Sequence, residues 1–182
     1  MKKLLVTFAI LAAASGTLSA FDILSYPPPV KGGNILVDLG VGLGIGYRTH
    51  GRMSIPALAA DVEYALPVNL PISVGGTVGF VQYKGDYTGT TITETWTYTF
   101  FGAKGNWHWG FDVQWLDLYS GLFFGYRHFA WDVEGYSSDL APDYSDFSFG
   151  GQIGAHFYFT KNVGAVLEFG APFSKIGLAL KF

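Results

Sequence analysis

The chain has 182 residues, of which 14% are charged, 18% are aromatic and 25 are glycine, and it contains no cysteine. The lack of cysteine excludes disulfide scaffolds and thiolate metal sites, and a net charge of -3 argues against a nucleic-acid binder. Mean hydropathy is +0.28, yet no run of about 18 apolar residues follows the N-terminus, which leaves a soluble β-barrel or sandwich, or a membrane β-barrel.

Residues 1–20 read as a secretory signal. Lys2 and Lys3 form the positive end, Leu4 to Ala14 the apolar middle and Ser15 to Ala20 the small-residue end, with cleavage expected after Ala20. The apolar stretch is too short for a membrane anchor helix. Residues 21–33 carry Pro27, Pro28 and Pro29 and read as an extended leader. Residues 34–182 form the folded part.

From Asn34 to Thr49, Ile35, Val37, Leu39, Val41, Leu43, Ile45 and Tyr47 share one face, and Leu36, Asp38, four glycines and Arg48 share the other. That spacing is a strand's. A second strand spans Ile55 to Leu66, with Leu58, Ala60, Val62 and Tyr64 opposite Asp61 and Glu63. Pro67 to Pro71 turns the chain into a third strand, Ile72 to Tyr83. After a polar loop, Lys84 to Glu94, the fourth strand runs from Thr95 to Trp109. Its apolar face starts with Trp96, Tyr98 and Phe100 and resumes with Phe101, Ala103 and Trp107, so a bulge is expected at Phe100-Phe101. The fifth strand is Asp117 to Phe129, the longest loop Ala130 to Ser145, and the sixth strand Asp146 to Phe159. Val163 to Gly170 and a last strand ending at Phe182 complete an eight-stranded, antiparallel, up-and-down transmembrane β-barrel, an all-β fold.

The face assignment follows from the minor face, which is too rich in glycine for a solvent surface but suits a narrow lumen. Its charges carry both signs: Asp38, Asp61, Glu63 and Glu168 against Arg48, Lys104, Arg127 and Lys181. Buried charges must pair, so these eight are expected to form a structural network. Aromatics near the strand ends of the major face are expected to form two girdles, with Tyr47, Trp96, Tyr98 and Tyr126 at one rim and Tyr64, Trp107, Phe157 and Phe159 at the other. Long loops on one side and short turns on the other fit an outer-membrane barrel.

The stretch Phe101 to Arg127 resembles the middle of small bacterial outer-membrane β-barrel proteins. The positions that carry the resemblance are Gly102, Lys104, Gly105, Trp107, His108, Asp117, Tyr119, Gly121, Gly125 and Tyr126. The ending IGLALKF, with Ile176, Leu178, Leu180 and Phe182 in phase, looks like the C-terminal signal read by the barrel-assembly machinery. The resemblance implies export to the bacterial outer membrane, with membrane lipid and that machinery as partners. It implies no shared ligand, cofactor or catalytic group.

Chemistry-bearing patterns are sparse. Lipid A deacylases and palmitoyl transferases use barrels of this size, and the deacylase pattern pairs a His with a Ser two residues on. Here Ala130 follows His128 at that spacing, and Tyr158 follows His156. Ser148 and His156 share a face but lie ~26 Å apart along a strand. His50, His108, His128 and His156 lack short metal-ligand spacing, and His108 and His156 read as hydrogen-bonding residues of the lumen. The acidic stretch Trp131 to Asp146 fits either a solvated loop or a contact for calcium or a basic partner. Expected is a non-enzymatic barrel with a plugged polar lumen, serving envelope structure or surface interaction. A narrow channel or transporter for small apolar molecules is the alternative, and a lipid-modifying enzyme the third.

Overall fold

The computed structural model describes residues 27–42, 52–86, 92–134, 143–172 and 174–182. The signal, the leader up to residue 26, and Tyr47, Arg48 and His50 lie outside the described residues. Eight strands make the fold: β1 (Ile35–Gly42), β2 (Arg52–Ala65), β3 (Ile72–Asp86), β4 (Thr93–Trp109), β5 (Leu116–Val133), β6 (Tyr144–Tyr158), β7 (Val163–Gly170) and β8 (Lys175–Lys181). Each pairs antiparallel with its neighbours in sequence, and β1 pairs with β8 to close the barrel. Closure uses the chain's last residue. Phe182 N donates to Ile35 O and Ile35 N to Phe182 O, both at 2.9 Å.

Local chemistry sets the turns. Between β2 and β3, Pro67 and Pro71 lack ladder donors, and Leu66 N donates to Ile72 O across the turn at 2.8 Å. Between β6 and β7, Thr160 Oγ1 accepts from Val163 N at 3.0 Å.

Polarity is inverted relative to a water-soluble barrel. Leu122, Phe124, Phe147, Phe149 and Ile153 stand exposed on the outer wall, whereas Asp38, Asp61, Glu63, Lys104, Asp117, Glu168 and Lys175 are buried inside. Inward glycines make room for rings. A Cβ at Gly79 would strike the Phe100 ring, one at Gly154 the Tyr119 ring, and one at Gly125 the Phe123 ring.

Three expectations are corrected. No bulge occurs at Phe100-Phe101, where pairing to both neighbours runs without a break. The register shifts lie in β2, between Met53 and Leu58, where Pro56 removes a donor. Second, β3, β4 and β5 extend further toward the long loops than the polarity pattern suggests. Lys84, Gly85 and Asp86 pair with Thr95, Glu94 and Thr93, and Ala130 to Val133 pair with Thr97 to Glu94. Third, because the fourth strand keeps phase, Trp96 and Tyr98 point inward. They pack against a buried cluster of Ala57, Ala59, Val81, Tyr83 and Phe100 rather than joining an outer girdle.

Candidate functional site: the charged lumen

Alternation along each strand delivers every second side chain to the lumen. There the interior is layered. At the end that holds both termini of the barrel, Val30 packs with Leu36 and Ala65, and Lys181 Nζ donates to Pro29 O at 3.1 Å. That ammonium also lies 3.9 Å over the Tyr158 ring. At the opposite end stands the aromatic cluster around Phe100. Between them lies an ionic layer.

The centre of the ionic layer is Lys104. Its ammonium lies 2.9 Å from Asp61, 3.2 Å from Glu63 and 2.9 Å from Glu168. Lys175 Nζ is the second cation, paired with Asp61 and, at 3.0 Å, with Glu168. Tyr119 OH donates to Glu168 at 2.7 Å, and Asn106 Nδ2 to Glu63 at 2.8 Å. A second chain of contacts continues around the wall. His156 sits between Asp38 (3.1 Å from Nε2) and Asp117 (2.8 Å from Nδ1), and His108 Nδ1 lies 3.0 Å from the same Asp117. Carboxylate oxygens of Asp38, Asp61 and Glu63 come within 4.8 Å of one another, the reach of a shared cation. The ammonium groups of Lys104 and Lys175 already stand against Asp61, and that of Lys104 against Glu63.

Asp38, Asp61, Glu63, Lys104 and Glu168 thus meet as one layer. Arg127 and Lys181 do not belong to it. Arg127 clasps Asp146 toward the end opposite the termini, with Nε–Oδ1 2.8 Å and Nη2–Oδ2 2.5 Å, and the pair is half-exposed. Lys181 is held at the opposite mouth, as described. Ser73, Asn106 and Gln152, which the alternation sets on the lumen side, join the layer, and Lys175 and Asp117 are members that the alternation left unassigned. Lys175 has a legible signal: it stands two residues before Gly177, in phase with Ala179 and Lys181.

On the outer wall, Tyr64 and Phe159 are exposed, and Trp107, Tyr126 and Phe157 keep the outward phase. Tyr126 packs against Phe101 and Phe147, with both ring centroids at 5.6 Å. Ile176, Leu178 and Leu180 stand outward opposite Val41, Leu39 and Val37 of β1. His128 faces Ser145 Oγ at 2.9 Å.

One contact set has the form of a serine hydrolase site. Ser73 Oγ lies 2.9 Å from His108 Nε2, and His108 Nδ1 3.0 Å from Asp117, a nucleophile–base–acid order that no spacing in the sequence announces. Its surroundings oppose the chemistry. Ser73 Oγ also donates to Glu63, which sets a carboxylate rather than an oxyanion-stabilising donor beside it. All three side chains are buried. The contacts form a hydrogen-bond chain from Glu63 through Ser73 and His108 to Asp117.

No family model matches the chain, and no curated protein matches it. Solved structures do resemble the barrel. Ail, the attachment invasion locus protein of Yersinia pestis, in complex with the heparin analogue sucrose octasulfate, superposes with a TM-score of 0.53 at 13% identity. The N-terminal β-barrel domain of Pseudomonas aeruginosa OprF gives 0.50 at 12% identity. Each match covers 84% of this chain and 100% of the other. The chain has the fold of the small eight-stranded outer-membrane β-barrels.

Proposed function

We propose that the chain is an integral protein of a bacterial outer membrane, exported through a cleaved signal. It is inserted by the barrel-assembly machinery through Ile176, Leu178, Leu180 and Phe182. It acts without catalysis, as a rigid scaffold that presents its outer end to the surroundings. The observation that carries this function is the inverted polarity: an apolar outer wall around a buried layer of paired ions. In lipid an open sheet edge leaves backbone groups unpaired at several kcal/mol each, which a closed barrel avoids.

The ionic layer supports a plugged lumen over a channel. Lys104 alone ties β4 to β2 and β7. An eight-stranded barrel has an interior that side chains fill. The described outer end bears Asp132, Glu134 and Asp143 exposed on the β5–β6 hairpin. That hairpin favours a neutral or basic partner, while Arg52 and Lys84 stand exposed at the same end on β2 and β3.

Reconstitution in a planar bilayer tests the function. The protein is expected to insert and give no steady unit current. Unit currents in the wild type, altered by Lys104→Gln, would overturn the plugged scaffold in favour of a transporter.

A further inference from the structure

The segment before β1 doubles back into the barrel. Lys31 and Asn34 close a tight turn, with Asn34 N donating to Lys31 O at 3.0 Å and Lys31 N to Asn34 Oδ1 at 2.8 Å. Gly33 sits in the left-handed region at φ +92°, which glycine adopts without strain. Gly32 passes so close to the β2–β3 turn that a Cβ there would lie 2.8 Å from Pro67 Cα. The reversal carries Pro29 and Val30 into the mouth of the lumen, where both are buried, while Lys31, Gly32 and Gly33 stay exposed.

Four inward residues meet this segment or its fastening. Val30 packs on Leu36 of β1 and Ala65 of β2. Lys181 of β8 donates to Pro29 O, and its ammonium lies over the ring of Tyr158 of β6. Two residues further in along those strands, about 7 Å, stand Asp38, Glu63, Ala179 and His156, all buried. The segment is therefore one inward step from the ionic layer. Its hold is light. Among the described residues one hydrogen bond, from Lys181, ties Pro29 and Val30 to the barrel. Closure also has a cost. Tyr158 OH is buried with no hydrogen-bond partner among the described residues, and water reaching such a group stabilises it.

We propose that Pro29 and Val30 are a stopper that opens and shuts the mouth at the termini, with the turn at Lys31 to Asn34 as its hinge and Lys181 as its latch. Shut, it keeps water from the ionic layer, and charges pair more strongly where water is excluded. Open, it lets water reach Tyr158 and His156. The opposing effects are similar in size: one charge-assisted hydrogen bond and one apolar contact hold the stopper in, and an unpaired hydroxyl favours its release. Such a balance is that of a segment that opens locally while the barrel stays folded. Lys104 meets Asp61, four residues in from Ala65, so the centre of the layer stays paired when the mouth opens. The gate hydrates the near side of the layer and makes no channel, which leaves the plugged scaffold proposed above intact.

The chain has no cysteine, so Ala179→Cys places a single thiol on the inward face, one step beyond Lys181. The full chain carrying it is folded into lipid nanodiscs, which leave both ends accessible, and treated with a cationic methanethiosulfonate. The thiol is expected to react slowly. Lys181→Met removes the latch, and Gly32→Val forces the segment away from Pro67. Each should speed labelling at least about tenfold, since losing a charge-assisted bond raises an open population by that order. Lys181→Arg keeps a donor for Pro29 O and a cation over the Tyr158 ring, and should label like its parent. Arg127→Met, toward the opposite end, should change nothing. Fast labelling of the parent overturns the stopper, as does labelling no faster in either variant. Faster labelling in Arg127→Met shows water arriving from the other end and overturns it as well. If Lys181→Met fails to fold, Gly32→Val, which lies outside the strands, still decides.

Discussion

The ionic layer makes an unequal demand on two cations that look alike in the sequence. Lys104 has a side chain 1% exposed and touches three carboxylates, whereas Arg127 is 32% exposed where it meets Asp146. Lys104→Met removes a buried partner and leaves Asp61, Glu63 and Glu168 with the single ammonium of Lys175 nearby. Breaking a buried ion pair from one side costs about 3–5 kcal/mol, because the stranded charge cannot recover its hydration. Arg127→Met breaks a half-exposed pair that solvent screens, worth about 0–1 kcal/mol. Urea unfolding from lipid vesicles, followed by tryptophan fluorescence, separates the two. With a denaturant slope of about 2 kcal/mol/M, Lys104→Met should lower the midpoint by roughly 2 M and Arg127→Met by under about 0.5 M. Adding Asp61→Asn and Glu168→Gln to Lys104→Met should restore part of the loss, since the stranded charges go with the cation. Equal midpoints for the two single variants would refute the layered lumen, and so would a Lys104→Met protein as stable as the wild type.

Other perturbations address the wall, the packing, the serine and the C-terminus. Val41→Arg places a cation on the outward face opposite Leu58 and Ile176, and should cost roughly 2–4 kcal/mol in the same unfolding assay; no loss would reverse the assignment of faces. A Cβ at Gly75 would collide with Val62 O, whereas at Gly76 the nearest atom is 3.5 Å away. Gly75→Ala should therefore lower stability by about 1–3 kcal/mol and Gly76→Ala by far less, with comparable losses contradicting the inward phase of Gly75. A fluorophosphonate probe should leave Ser73 unmodified, as read by mass spectrometry of the tryptic peptides; labelling there would mean an accessible, activated nucleophile. Deleting Phe182 removes both hydrogen bonds to Ile35 and should slow appearance of the heat-modifiable folded band, with unchanged kinetics counting against an assembly role.

Period-two alternation carries most of the barrel because lipid and lumen impose opposite demands on successive residues. Leu58, Ala60, Val62 and Tyr64 against Asp61 and Glu63 leave no doubt about phase, and register then follows. That contrast weakens above the hydrocarbon, where both faces of a protruding sheet meet water. In β4 the outward residues there are Thr93, Thr95, Thr97 and Thr99, and the aromatic ones point in. Polarity alone thus turns Trp96 and Tyr98 outward, while counting in twos back from Lys104 turns them inward. The count is the sounder guide, since a strand cannot change phase without a bulge, and Phe100-Phe101 pairs on both sides. The same count back from Lys181 reaches Lys175. Contacts between strands are a different matter. Ser73, His108 and Asp117 share no sequence spacing, and the register of three neighbouring strands, with Ser73 opposite Asn106 and His108 opposite Tyr119, brings them together. The offset between β6 and β7 is hidden for a related reason: β7 stops at Gly170, opposite Gln152, while β6 reaches back to Tyr144. That offset belongs to the pairing of two strands, and neither strand's residues record it.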